Sequence, residues 1–192
     1  IGIPKETEFQ EQRVALVPQS VGLLVANGHK VKVETGAGDS ANFSDNDYSE
    51  VGAEIAYDTQ EIYKADIILK VSPPNENEID MMKYKQILFS ALQLTVQPKN
   101  ALKKLMEKKI TAIAWDYIED ESGSFPLIRS MGEIAGTTSV LIAAELMSNA
   151  NSGKGLMLGG VAGITPPEMV IIGAGTVGQF AASSALALGV SV

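Results

Sequence analysis

Short β-rich runs alternate with helix-like segments almost from the first residue, and that alternation restricts the chain to an α/β fold on a largely parallel sheet. Strands are predicted at residues 1–3, 30–34, 66–71, 87–89 and 110–114. The apolar runs Ile67-Ile68-Leu69 and Ile87-Leu88-Phe89 predict strands covered on both faces. The intervening helices carry readable punctuation. Pro18 suits a first helical turn, Val21, Leu24 and Val25 form an apolar stripe, and Gly28 closes the segment. Pro98 opens a second helix with Leu102, Leu105 and Met106 inward and its lysines in solvent, and Asp58 caps a short third one.

The polar cluster Glu119-Asp120-Glu121-Ser122-Gly123-Ser124 marks a boundary. It suggests a Rossmann-like, parallel-sheet first domain over residues 1–128 and a second domain over residues 129–192. The second opens with a weakly polar helix at about 131–149, carrying Ile134, Val140, Leu141, Ala144 and Leu146 and expected to be buried between domains. A glycine-rich loop (153–163), a proline pair and a strand Met169-Val170-Ile171-Ile172 follow. One strand, one helix and the stub Val190-Ser191-Val192 are too few to cover both faces of a doubly wound sheet, so the sequence reads as the start of such a domain, truncated.

The G-x-G-x-x-G spacing falls on Gly173, Gly175 and Gly178, after an apolar run and before a helix of small residues. That context turns a weak pattern into a dinucleotide fingerprint: Gly173 for the turn, Gly175 for approach of a pyrophosphate, Gly178 for close helix packing. The anion would rest on the N–H groups at Gly175, Thr176, Val177 and Gly178. Without a ligand, the same spacing describes a plain strand-to-helix turn. The acidic ribose ligand is expected about 20 residues on, at or past Val192, so NAD and NADP are not separated by this sequence.

The net charge of −8 argues against general nucleic-acid binding and against an anionic membrane surface. No run suits a signal peptide or membrane helix, and the absence of cysteine removes disulfides, thiolate metal sites and thiol catalysis. No metal is expected. Only two arginines, Arg13 and Arg129, stand against thirteen lysines, so each arginine calls for a specific role.

Several segments together resemble the alanine dehydrogenase and transhydrogenase α-subunit superfamily. They are Ile1-Gly2-Ile3-Pro4-Lys5-Glu6, Gln12-Arg13-Val14-Ala15-Leu16-Val17-Pro18, Gly28-His29, Val33-Glu34-Thr35-Gly36-Ala37-Gly38, Gly52-Ala53-Glu54-Ile55, Ile68-Leu69-Lys70-Val71, Met131-Gly132-Glu133-Ile134-Ala135-Gly136, Gly159-Gly160-Val161 and the fingerprint. They run in order along the whole chain. Pro126 to Met131, with no long insertion, is closer to the alanine dehydrogenase branch.

The resemblance implies a substrate domain and an NAD domain with the substrate in a cleft between them. It also implies reversible oxidative deamination of L-alanine to pyruvate and ammonia, a cytoplasmic setting and a homo-oligomer when full length; the alternatives are the NAD-binding α-subunit of a proton-translocating transhydrogenase and a catalytically weak NAD-binding paralogue. By resemblance Arg13 binds the substrate carboxylate; the bland alternative is a surface pair with Glu6, Glu8 or Glu11, disfavoured because Arg13 stands beside Val14-Ala15-Leu16 and at most partial exposure is expected. Lys70 polarises the substrate carbonyl, against the alternative of a lysine snorkelling from a strand end. Met131 contacts substrate or nicotinamide, or is simply helix-start core. Two positions depart from the family. Gln93 stands in Leu92-Gln93-Leu94 where the family has its proton-transferring histidine, and Gly132 stands where a serine is usual. Glutamine donates a hydrogen bond but carries no proton near neutral pH, so slow alanine turnover is expected. The only histidine, His29, reads as a solvated turn residue.

Overall fold

Six short strands pair in parallel: β1 (Gly2–Ile3), β2 (Lys32–Glu34), β3 (Glu54–Ala56), β4 (Ile67–Leu69), β5 (Ile87–Ser90) and β6 (Thr111–Ala114). Their order in the sheet is β3-β2-β1-β4-β5-β6. The chain lays strands outward on one side of β1, then returns to fill the other side from β4. The switch point therefore lies between β1 and β4, where open α/β sheets place ligands at the strand C-termini. In this computed structural model all residues 1–192 are described, and the chain divides into two units, Ile1–Tyr117 and Ile118–Val192.

In the first unit the expected α/β fold is present. Ile68 and Leu88, paired in register, are fully buried, while Ile67, Leu69, Ile87 and Phe89 are half-buried. On β4 and β5 the face carrying Ile68 and Leu88, packed by the helix residues Ile62, Ile79 and Leu105, is thus covered more completely than the face carrying Ile67, Leu69, Ile87 and Phe89. One face packs Ile62, Tyr63, Ile68, Ile79 and Leu88; the other packs Ile3, Val21, Val31, Val33 and Tyr48. Each such side chain contributes roughly 1.5–3 kcal/mol by leaving water.

Helix α1 (Pro18–Ala26) begins on its proline as expected. It ends where Gly28 takes φ +87, donating to Val25 O while His29 N–H reaches back to Leu24 O. α2 (Asp45–Glu50) and α4 (Glu76–Met81) are too short for a periodic signal, yet each has a full capping box, Ser44 with Asp47 and Asn75 with Glu78. α3 (Thr59–Ile62) starts on the Asp58 cap. In α5 (Lys99–Glu107) Ala101 and Leu105 set the inner face, so Met106, about 100° further round, points to solvent at 77% exposure rather than inward. Nor are that helix's lysines simply solvated: Lys104 pairs with Glu76 and Asp80, and Lys108 donates to the Asp80 and Met82 carbonyls.

In the second unit α6 (Pro126–Met147) begins at its first-turn proline, before the predicted start at 131. A boundary at 128/129 would cut this helix inside its first turn; the units divide at Tyr117/Ile118 instead. The turn ahead of it is tied by Asp120, whose Oδ1 accepts from Ser122 and Ser124 N–H groups. α6 is not the buried helix expected: Gly136 and Val140 are buried, while Ile134, Leu141 and Leu146 are exposed. It packs on α7 (Thr176–Ala187), with Val140, Ala181, Ala185 and Val190 as a small core. The expected strand at 169–172 is absent. That segment has one bridge, Glu168 to Ser191, with Met169 N–H donating to Ser191 O, and a single bridge does not make a ladder.

A Cβ at Gly136 would press on the Val177 carbonyl oxygen and lie 2.8 Å from Phe180 Cβ; at Gly132 it would meet side chains alone, Thr176 at 3.3 Å and Val177 at 3.5 Å. Alanine in place of glycine ordinarily favours a helix by about 1 kcal/mol. Gly132→Ala should keep most of that gain, whereas Gly136→Ala should be destabilising through overpacking of roughly 1–3 kcal/mol. Urea unfolding of the two variants checks the contrast.

Candidate functional site

The segment after β1 (residues 4–17) and the segment after β4 (residues 70–75) leave the sheet at the switch point and are stitched together by side chains. Glu6 Oε1 accepts the Val71 N–H at 2.6 Å, and its Oε2 accepts from Lys70 Nζ at 3.1 Å. Lys70 Nζ also donates to Glu78 Oε1 at 2.9 Å. The Lys70, Glu6 and Glu78 side chains are 1%, 4% and 6% exposed. Lys70 therefore does not snorkel; it is a buried ammonium held by two carboxylates, the pairing that such burial requires. Glu78 owes its place to the α4 capping box, where Oε2 accepts the Asn75 N–H at 2.8 Å. Thr7 links the same cluster, donating to Glu78 and accepting from Asn75 Nδ2.

Arg13 lies on the same segment. Its Nε and Nη2 donate to the two Glu11 oxygens at 2.7 and 2.6 Å, and Glu11 Oε2 also accepts from Ser72 Oγ at 3.1 Å. A continuous network thus joins Arg13, Glu11, Ser72, Glu6, Lys70 and Glu78. The Arg13 side chain is 52% exposed, more than expected, because the chain around it has no regular structure to cover it. Of the three acidic residues considered as its partner, Glu11 is the one that forks it. The Arg13 hydrogen bonds hold the Glu11 carboxyl at about 2, far below its ordinary 4.5.

Gln93 follows β5 in the next segment, which runs beside Val71 through the Ala91 N–H to Val71 O bond at 3.1 Å. It is exposed, adopts φ +44, and joins none of the side-chain hydrogen bonds of the Lys70 network. His29 is exposed, as expected. Sequence reasoning named Glu11 as a possible partner of Arg13 but missed Glu6 and Glu78 as partners of Lys70, the Ser72 link to Glu11, and Trp115, whose indole N–H donates to Val71 O at 3.1 Å. The Asn75–Glu78 capping spacing was the one legible signal among them. Behind the cluster, the Tyr63 hydroxyl is buried without a hydrogen-bond partner, and burial followed by the Glu78 charge pushes its ionisation upward.

In the second unit the fingerprint opens α7. Gly173 takes φ +114, a Cβ at Gly178 would fall on the Gly173 carbonyl oxygen, and a Cβ at Gly175 would meet nothing within 4 Å. No side chain caps the α7 N-terminus. The open space at Gly175 and the uncapped N–H groups of Thr176, Val177 and Gly178 fit the approach of a phosphate. A cleft of about 670 Å³ borders them, lined also by Gly132 and Val140 of α6. Met131 lies in α6 with its side chain at the surface.

Residues 2–135 match the family "Alanine dehydrogenase/PNT, N-terminal domain", and residues 139–192 match "Alanine dehydrogenase/PNT, C-terminal domain". The chain belongs to the alanine dehydrogenase/PNT family. An alanine dehydrogenase of Methanococcus maripaludis is 42% identical over all of this chain and 52% of its own length. One of Staphylococcus epidermidis is 40% identical over all of this chain, again 52% of its own length. A solved L-alanine dehydrogenase superposes with a TM-score of 0.93 at 40% identity, covering all of this chain and 53% of its own. A transhydrogenase from Sinorhizobium meliloti gives 0.82 at 27% identity, covering 98% of this chain and 54% of its own. The chain spans about half the length of the curated relatives it matches. No helix is long and apolar enough to cross a membrane.

The depressed Glu11 carboxyl links this site to acid stability. A folded-state value below 4.5 adds stability above that pH, lost as pH falls towards about 2. Glu11→Gln should lower stability at neutral pH, and its deficit against the unsubstituted protein should shrink between those two values. Denaturant midpoints across that range measure it, and a pH-independent deficit would show that the pair's charge is not the source.

Proposed function

We propose that this chain carries the substrate site, and the first part of the cofactor site, of an NAD-dependent alanine dehydrogenase: L-alanine, NAD⁺ and water give pyruvate, ammonium, NADH and a proton. The observation that carries the reading is the Arg13 to Lys70 network at the switch point, in a chain of this family. Arg13 offers a guanidinium fork to the substrate carboxylate, in competition with Glu11, which already neutralises it. Lys70 offers an ammonium N–H to the carbonyl oxygen, stabilising negative charge as it develops there. Gln93 can donate to that oxygen and cannot move a proton. Met131 and Gly132 are proposed to border substrate and nicotinamide. Gly173, Gly175, Thr176, Val177 and Gly178 would hold the NAD pyrophosphate through backbone N–H groups, which lets an acidic protein bind an anion. The nicotinamide, when bound, accepts the hydride.

In this reading the unit Ile1–Tyr117 acts as the substrate domain and the unit Ile118–Val192 as the start of the NAD domain. The protein is further proposed to be cytoplasmic and a homo-oligomer when full length, with partners limited to small molecules. A second reading, the NAD-binding subunit of a proton-translocating transhydrogenase, is favoured by one residue: transfer of hydride between nucleotides needs no proton-carrying group at position 93. Formation of NADH on adding L-alanine to the intact protein separates the two.

A histidine suits the left-handed φ at position 93 better than most residues. Gln93→His should raise kcat for alanine by roughly tenfold or more while leaving the pyruvate KM nearly unchanged, as for a group acting only in the transition state. Unchanged turnover would mean that position 93 has no part in proton transfer.

A further inference from the structure

Lys70 has three ammonium donors, and two are taken by Glu6 and Glu78. The two carboxylates are mounted differently. Glu6 is engaged at both oxygens, Oε1 on the Val71 N–H and Oε2 on Lys70 and the Ser72 N–H, but it sits in the irregular segment after β1 and reaches Lys70 across the switch point. Glu78 is fixed at both oxygens: Oε2 on the Asn75 N–H inside the capping box, Oε1 on Lys70 and Thr7. A side chain 1% exposed cannot meet a substrate until something covering it yields. A shift of the irregular segment that carries Glu6 breaks no helix or strand; it releases the Glu6 bonds to Lys70 and to the Val71 and Ser72 N–H groups. After such a movement Glu78 still grips the ammonium, while the donor released by Glu6 joins the remaining one in facing the substrate.

We propose that Glu78 is the positioning residue for Lys70, the carboxylate that keeps the ammonium aimed while the Glu6 contact opens to admit the substrate. This deepens the alanine dehydrogenase reading and rests on it for the identity of the substrate. The residue touches Lys70 and not the reacting atoms, so its loss acts on rate through orientation.

The test uses the intact protein with Glu78→Gln, which keeps an oxygen acceptor and the capping box but removes the charge, and Glu78→Asp. The latter keeps charge and cap, as Asp47 does in α2, but shortens the reach. Each should lower kcat by roughly tenfold or more, the scale of a misplaced catalytic group, with the pyruvate KM within about twofold. Acetic anhydride labelling read by mass spectrometry should find Lys70 among the slowest lysines in the unsubstituted protein and clearly faster in either variant. Folded variants with unchanged kcat and a protected Lys70 would overturn the proposal. So would rapid labelling of Lys70 in the unsubstituted protein, a result that needs no variant to fold. Absence of alanine-dependent activity in the unsubstituted protein would remove the dehydrogenase reading alone, and the labelling contrast would still decide whether Glu78 holds Lys70.

Discussion

The buried ammonium of Lys70 is the interaction on which the first unit's functional edge depends. An unpaired ammonium at such a depth would cost several kcal/mol in lost hydration. The chain therefore has to bring carboxylates to it from elsewhere in the sequence. Glu6 comes from the segment after β1 and Glu78 from the start of α4, so one cation fastens three separate stretches at the switch point. Glu6 also accepts from the Val71 backbone, and Glu11 passes the connection through Ser72 to Arg13. The candidate site and the local architecture are thus one polar network, and a change at any member is felt along it.

The second unit meets its electrostatic problem in the opposite way. A chain with net charge −8 has few cations to spare for an anionic ligand. At the α7 N-terminus it presents backbone N–H groups, with no capping side chain to compete for them. The close approach of α6 to α7 at Gly136 and the contact of Gly178 with the Gly173 carbonyl hold that opening in shape.

The sheet and most helix starts were legible because their signals are local. A proline at Pro18, an Asp58 cap and runs such as Ile67-Ile68-Leu69 act on the residues beside them. β3 was missed because Glu54-Ile55-Ala56 has weak strand character and is held mainly by pairing to β2. Met169-Val170-Ile171-Ile172 was overcalled for the converse reason: it has strong strand character and only a single bridging partner. For the candidate site, residue types and motifs pointed to Arg13 and Lys70. Glu11, two residues from Arg13, was among its candidate partners in the sequence; the Lys70 partners Glu6 and Glu78 emerged only in three dimensions, since a contact between positions 6 and 70 leaves no trace in local spacing. Even the Asn75–Glu78 capping box, visible in the sequence, gives no hint that the same carboxylate holds a lysine eight residues earlier.

The most direct measurement of the account is a crystal structure of the intact protein with pyruvate and NADH. It should show the pyruvate carboxylate on Arg13 and its carbonyl oxygen on Lys70 Nζ, with Glu78 still bound to that ammonium. The pyrophosphate should lie against the N–H groups of Gly175 to Gly178. Pyruvate bound away from both Arg13 and Lys70, with the Lys70–Glu6 contact intact, would contradict it.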